Sequence, residues 1–352
     1  MSALESRIIS TSRLDTHLWL AGAPGKPAIL LLHGNVSSAV FFDRVQAALG
    51  ERYFVIAPDL RGYGRSQVKP VDATRGVRDF SDDLAALLGS PELGLAADAK
   101  VHVVAWSAGG NVAMQLAIDH GARVASLTLI NPGSPYGFGG TKGADGTPCY
   151  DDFAGSGAGG VNPTLVELLV AKDTGADQPV SPRNVMNTFY WKPPFKPEPE
   201  TEERYLAGML EIAIGEHNYP GDALPSANWP NVAPGVAGMN NALSPKYLNQ
   251  SEIVHLRDKP PILWVRGADD QIVSDRSMFD FGVLGELGAV PGWPGAEVFP
   301  AQPMVEQTRA VFDRYAAAGG AYTEVVIADA GHGPHIEKYD EFMVALNGFL
   351  AK

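Results

Sequence analysis

The chain of 352 residues carries 27 basic and 40 acidic side chains, for a formal net charge of −13, with 45% hydrophobic and 19% charged residues. That composition is ordinary for a folded globular protein and excludes a disordered or fibrous one. An acidic chain without a dense Lys/Arg run also excludes nucleic acid as a partner.

The length suits one large core carrying a sizeable insertion. A lone cysteine, Cys149, cannot form an internal disulfide and has neither a helix start nor a basic setting to activate it, so it reads as incidental. The first residues show no basic start followed by a long apolar stretch, and no run approaches the ~20 apolar residues needed to cross a bilayer. The expectation is therefore a cytoplasmic protein with a small-molecule substrate and no membrane partner.

From the amino terminus, short strands alternate with helical patterns, as a mostly parallel, twisted α/β sheet flanked by helices requires. Residues 7–10 and 16–21 read as an opening hairpin. Residues 27–32 form a continuous apolar run, as in a strand buried on both faces, and stop at His33-Gly34. Residues 36–49 show helical spacing, and 54–58 restore a strand that delivers Asp59-Leu60-Arg61-Gly62-Tyr63-Gly64. Then come a helix over 77–88, a strand over 101–105, a helix over 110–120 and a strand over 124–130.

After Asn131-Pro132 the alternation breaks down into Gly-, Pro- and Ser-rich sequence. Residues 1–136 and 251–352 are thus expected to form the catalytic core, with 137–250 inserted as a lid. Within the insertion, 164–172 and 201–214 look helical, whereas 192–199 and 226–245 look like loops. The core resumes with strands at 261–265 and 322–327 and helices at 304–318 and 336–350. A second, smaller insertion is expected over 279–303.

The strongest chemical signal is Val103-Val104-Ala105-Trp106-Ser107-Ala108-Gly109-Gly110, a strand that ends in a tight turn and opens directly into a helix. Small residues on either side of a serine are what a nucleophile elbow needs, because a sharp turn must lift the hydroxyl above the sheet. Ala105 stands where the strict pattern has glycine. Read without its context, Ser107 could simply cap the helix.

A serine hydroxyl needs a base within reach, and that base needs an orienting carboxylate. Asp269 and Asp270 follow the strand at 261–265, and His332 lies between Gly331 and Gly333 after the last strand. Asp270 is the chosen acid, and the order Ser107, Asp270, His332 supports a shared site.

These residues resemble the α/β-hydrolase superfamily, specifically its lidded serine hydrolases of esterase and lactonase type, across nearly all of the core. His33-Gly34-Asn35 resembles the family's oxyanion loop, and Asp59 to Ser66 resembles its Asp-x-x-Gly-x-Gly-x-Ser segment. Gly331-His332 with Pro334, Glu337 and Phe342 resembles its histidine loop. Some members carry the acid after the strand before the lid, but here that position holds Asn131. The resemblance implies an oxyanion hole made by the backbone N–H groups of Asn35 and Ala108, although Asn35 could equally cap a helix. His-Gly-Asn followed by Ser-Ser is also similar to haloalkane dehalogenases, but those use an aspartate nucleophile, so dehalogenation and epoxide opening are discounted.

No tight ligand cluster such as His-Glu-x-x-His is present, so neither a metal nor another cofactor is expected. The insertion carries Phe138, Phe189, Tyr190, Trp191, Tyr219 and Trp229, with Tyr136 at its edge. They suggest a broad apolar pocket or the lid's own core. Trp106 and Phe138 are the substrate-binding candidates. The expected reaction is hydrolysis of a carboxylic ester or lactone through an acyl-serine intermediate. A carbon-carbon bond hydrolase of β-diketone type, an amidase or peptidase, and a non-catalytic binding member of the fold stay open.

Overall fold

The computed structural model describes residues 2–351. Eight strands form the main sheet: β1 (Glu5–Ser10), β2 (Asp15–Ala21), β3 (Ala28–Leu32), β4 (Phe54–Pro58), β5 (Val101–Trp106), β6 (Val124–Ile130), β7 (Ile262–Gly267) and β8 (Tyr322–Ile327). Their order across the sheet is β1-β2-β4-β3-β5-β6-β7-β8. β1 and β2 pair antiparallel, β2 runs antiparallel to β4, and every later pair is parallel.

The central parallel strands β3 and β4 are continuous buried apolar runs because helices cover both faces, whereas the edge strand β8 is partly exposed. Val103 and Ala105 of β5 point into one core layer, together with Phe80 of α2 (Arg78–Leu88), Val112 of α3 (Ala108–His120) and Phe312 of a helix at Met304–Ala317. Val104 and Trp106 point into the other layer, with Val45 of α1 (Asp43–Leu49) and Leu346 of the last helix, Tyr339–Leu350. This is the period of two expected along a strand.

The segment between β6 and β7 contributes no strand to the main sheet. It holds α4 (Pro163–Val170), a π-turn at Met186–Tyr190, α5 (Pro199–Leu210) and a few two- and three-residue strands. Its apolar side chains, including Leu169, Met186 and Leu206, extend the second core layer rather than forming a separate one. The smaller insertion packs on it: Trp229 donates from its indole N–H to the carbonyl of Pro291 at 2.8 Å, and its ring meets Phe281 and Phe299 edge-on.

Several boundaries differ from the sequence reading. The helix expected over 36–49 is a 3-10 turn at Ala39–Phe42 followed by α1. Val36 sits at φ +45°, and Ser37 uses its hydroxyl to cap the carbonyl of Gly34, so the chain cannot turn helical before Ala39. The last helix, expected over 336–350, breaks at Lys338 (φ −123°, ψ 47°) into Pro334–Glu337 and Tyr339–Leu350. The expected loop over 226–245 contains a short helix at Met239–Ala242 and a strand at Val232–Pro234. No helix among the described residues is long and apolar enough to cross a membrane.

Candidate active site

β5 ends at Trp106, and α3 starts at Ala108, leaving Ser107 alone in the turn at φ 56° and ψ −127°. A non-glycine residue in this region is strained, and it is held there because both flanking elements are fixed. Its N–H donates to Ile130 O at 2.9 Å, while its carbonyl accepts from Gly110 N at 2.7 Å. The turn is crowded. A Cβ on Gly109 would lie 2.4 Å from the carbonyl oxygen of His33, and one on Gly34 would lie 2.9 Å from Cβ of Ser107. Ala105 shows no such conflict: its methyl is fully buried in the first core layer, which is why the first glycine of the strict pattern is dispensable here.

His332 arrives on the loop after β8, and Asp270 on the loop after β7. The two loops approach so closely that a Cβ on Gly267 would overlap Gly331 O. His332 Nδ1 lies 2.8 Å from Asp270 Oδ2, and both side chains are buried. Because the carboxylate can only accept, Nδ1 carries the proton, which leaves Nε2 of a neutral ring with its lone pair free. The second oxygen, Oδ1, accepts from the backbone N–H groups of Ile272 (2.8 Å) and Val273 (3.1 Å), which fix the orientation of the carboxylate. Asp269, by contrast, faces outward and pairs with Lys192 Nζ at 3.0 Å.

Trp106 joins the elbow to the base. Its indole N–H donates to the carbonyl of His332 at 2.7 Å, and its ring centroid lies 5.4 Å from the imidazole. In this resting geometry the Ser107 hydroxyl, which is half-buried, forms no hydrogen bond among the described residues, His332 Nε2 included. Such contacts commonly close only when a reacting group arrives.

On the other side of the elbow, Leu60 N–H donates to His33 Nε2 at 3.0 Å, so the proton of His33 sits on Nδ1 and is directed at Gly34 O, 2.8 Å away. Burial lowers the pKa of His33 and keeps it neutral in this role. The Asn35 side chain is saturated: Oδ1 accepts from Tyr63 Oη (2.6 Å) and Val36 N (3.0 Å), and Nδ2 donates to Asn240 Oδ1 (3.0 Å). The main-chain N–H groups of Asn35 and Ala108 have no acceptor among the described residues. Two free donors beside a serine elbow can receive an oxyanion.

Three residues that hold this arrangement together were not singled out as site residues from sequence. Asn131 bridges the acid and base loops, with Nδ2 donating to Gly331 O and His332 O and Oδ1 accepting from Gly267 N. The carboxylate of Glu337 accepts from Gly331 N (2.6 Å) and from Lys192 N of the insertion (2.8 Å). Lys192 Nζ also reaches Asp329 at 2.8 Å. The signal for Asn131 was its position, where some relatives carry the acid, and that for Glu337 was its place in the histidine loop.

The two substrate-binding candidates sit differently from the expectation. Trp106 is only 1% exposed and walls the base from behind. Phe138 is half-buried, with its N–H on Leu243 O. Of the other aromatic residues, Tyr136, Tyr190, Trp191, Tyr219 and Trp229 are buried core members, so the insertion spends most of its rings on its own packing. Burial pushes the Cys149 thiol up to about 12, which leaves it protonated and unreactive. Among the described residues no group of three or more His, Cys, Asp or Glu side chains is placed to hold a metal ion.

A doubly covered sheet with a serine elbow, a buried imidazole-carboxylate pair and two free amides defines a hydrolase-type site. The family model described as "Alpha/beta hydrolase family" matches residues 29–345, and the chain belongs to that family. Among curated relatives, it is 38% identical over 117 residues to a Caulobacter vibrioides protein named "Putative carbamate hydrolase RutD". That match covers 33% of this chain and 41% of the relative's length. Among solved structures, carboxylesterase CesB from Bacillus subtilis superposes with a TM-score of 0.59 at 16% identity, covering 99% of this chain and 92% of that one. The enol-lactonase from Burkholderia xenovorans LB400 does so with a TM-score of 0.55 at 17% identity, covering 98% and 100%. At those identities the likeness is one of fold.

Proposed function

We propose that the protein is a serine hydrolase that cleaves a carboxylic ester or lactone through an acyl-serine intermediate, with residues 137–250 as its lid. Ser107 Oγ attacks the carbonyl carbon while His332 Nε2 takes the hydroxyl proton. Asp270 stabilises the resulting imidazolium and holds its orientation. The oxygen of the tetrahedral intermediate is received by the N–H groups of Asn35 and Ala108, an interaction worth several kcal/mol in other hydrolases. His332 then returns its proton to the leaving alkoxide. Water repeats the sequence on the acyl-serine, releasing the acid and regenerating the hydroxyl.

The observation that carries this reading is the buried 2.8 Å contact between His332 Nδ1 and Asp270 Oδ2 beside a serine held at φ 56°. A pair of that kind fixes one imidazole tautomer and leaves the other nitrogen basic. A second bond type is favoured by the RutD similarity: a carbamate would pass through the same steps by way of a carbamoyl-serine.

The test is fluorophosphonate labelling of wild type and Ser107→Ala, alongside a panel of aryl esters, lactones, aryl carbamates and β-diketones. Labelling at Ser107 and ester or lactone turnover, both lost in Ser107→Ala, are expected. Turnover confined to carbamates or diketones would reassign the bond, and full esterase activity in Ser107→Ala would remove the nucleophile.

A further inference from the structure

Glu337 lies in the short helix at Pro334–Glu337, outside the set of groups that would touch a substrate, yet its carboxylate ends in two main-chain hydrogen bonds of unusual placement. Oε1 receives the N–H of Gly331, the residue immediately before His332, and Oε2 receives the N–H of Lys192 in the insertion. The surrounding packing leaves little slack. A Cβ on Gly331 would lie 2.8 Å from Lys192 N, and one on Gly333 would lie 2.9 Å from Tyr190 O, so the insertion segment 190–192 lies directly on the loop that carries the base. Tyr190 continues across the site, donating from its hydroxyl to Val36 O at 2.8 Å beside the free N–H of Asn35.

We infer that Glu337 is a positioning residue for His332: its ionised carboxylate clamps the base loop to the insertion segment at Lys192, and the nucleophile is served by a correctly aimed imidazole only while that clamp is closed. The inference rests on the serine-hydrolase reading above. A carboxylate can accept both N–H groups at once. A protonated acid or an amide must turn a donor toward one of them, and the site offers no acceptor in that place.

Glu337 is also open to titration. It lines a cavity of about 250 Å³ together with Lys192, Phe195, Asp329 and Lys338. Burial raises its carboxyl to about 7, and nearby Asp270 adds to the rise, while the two backbone N–H groups and Lys338 oppose it. The groups facing it are Lys192 from the insertion, Lys338 and His335 from its own turn, Asp270 from the acid loop, and Asp329 from the histidine loop. The clamp therefore opens by protonation near neutral pH.

The experiment compares wild type with the isosteric Glu337→Gln, following p-nitrophenyl butyrate hydrolysis and the rate of fluorophosphonate labelling of Ser107 across pH 5 to 9. Glu337→Gln is expected to lower kcat by about tenfold to a hundredfold with a much smaller change in KM, because a displaced base costs rate rather than binding. It should also lose one of two ionisations on the acid side of the wild-type profile. Wild type protonated at Glu337 should fall to the rate of the variant, and where Glu337→Gln yields too little folded protein the wild-type pH profile decides alone, a single acid-side ionisation overturning the inference. A variant with reduced melting temperature but wild-type kcat and an unchanged pH profile would overturn the inference and leave Glu337 a structural residue. Failure of wild type to label at Ser107 would instead overturn the serine-hydrolase reading itself.

Discussion

The side-chain amide of Asn131 donates a 2.7 Å hydrogen bond to the main-chain carbonyl of His332, so the residue just after β6 holds the loop that follows β8. It also serves Gly331 O and Gly267 N, and it adopts φ +40°, a conformation that asparagine tolerates better than alanine. Asn131→Ala takes this partner from Gly331 O and Gly267 N, while His332 O keeps the Trp106 indole. Each such loss costs about 1–3 kcal/mol, so a fall of several degrees in melting temperature is expected together with a drop of about tenfold or more in kcat as the imidazole loses its seat. Thermal unfolding and steady-state kinetics on the same preparation check both. A variant that keeps wild-type kcat would show that the loops are held without Asn131.

The two adjacent aspartates are expected to separate cleanly. Asp270→Asn keeps shape but offers an N–H to the imidazole, favouring the wrong tautomer, and a loss of about 10³–10⁴ in kcat is expected by analogy with other triads. Asp269→Asn breaks an exposed pair with Lys192, an interaction worth no more than ~1 kcal/mol, and activity should change little. The reverse ranking in a kinetic comparison would move the acid by one position.

His335 supplies a stability prediction with a defined sign. Its ring stacks on Phe42 at 4.7 Å and lies 5.1 Å from the Trp106 ring, and neither nitrogen has a hydrogen-bond partner. Burial, followed by the neighbouring His332, depresses its pKa from 6.5 to about 3; the backbone of Phe41 opposes this weakly without reaching hydrogen-bond geometry. Below 6.5 the unfolded chain takes up a proton that the core refuses, so stability present above that pH is lost as pH falls toward 3. Glu337 works in the opposite direction between about 7 and 4.5, since there the folded state binds the extra proton, and part of the slope is masked. In His335→Phe the His335 contribution vanishes. Urea unfolding of wild type and variant should therefore diverge by about 2 kcal/mol in favour of the variant between pH 7 and 4.5. Parallel curves would show that the imidazole is not held neutral.

Cys149 is expected to be silent. With its thiol raised to about 12 by burial, it should resist iodoacetamide at pH 8, and Cys149→Ala should leave turnover unchanged. Rapid alkylation that also abolishes activity would place Cys149 in the chemistry.

The sequence was most readable where one residue type had one physical use. β4 and β6 run over the residues that their apolar patterns marked, because a strand buried on both faces tolerates little else, and the bounds of the partly exposed edge strand β8 also match. Ser107, Asp270 and His332 were chosen by order and by the small residues around them, and the structure sets His332 Nδ1 2.8 Å from Asp270 Oδ2. Trp106 was not: beside a serine it reads as a substrate wall, whereas its partner is a carbonyl 226 residues away, and no periodicity records such a bond. The same holds for Tyr190 and Trp191. An aromatic residue in an insertion has the same composition whether it lines a pocket or fills a core, and only the packing on Gly331 and Gly333 distinguishes the two. The broken last helix was hidden for a related reason, since the chain around Lys338 leaves helical geometry while the carboxylate just before it reaches back to Gly331.

The alternation along β5 has one more consequence. Val104 and Trp106 enter one core layer and Val103 and Ala105 the other, so the register of this strand sets both the side that the indole takes and the place of the turn that carries Ser107. A slip of this strand by a single position would send the indole out and the hydroxyl in, and no adjustment of the distant loops could compensate. Insertions or deletions within residues 101–106 are therefore forbidden to any descendant that keeps the chemistry, while the loops carrying the acid and the base can lengthen or shorten as long as their tips still meet.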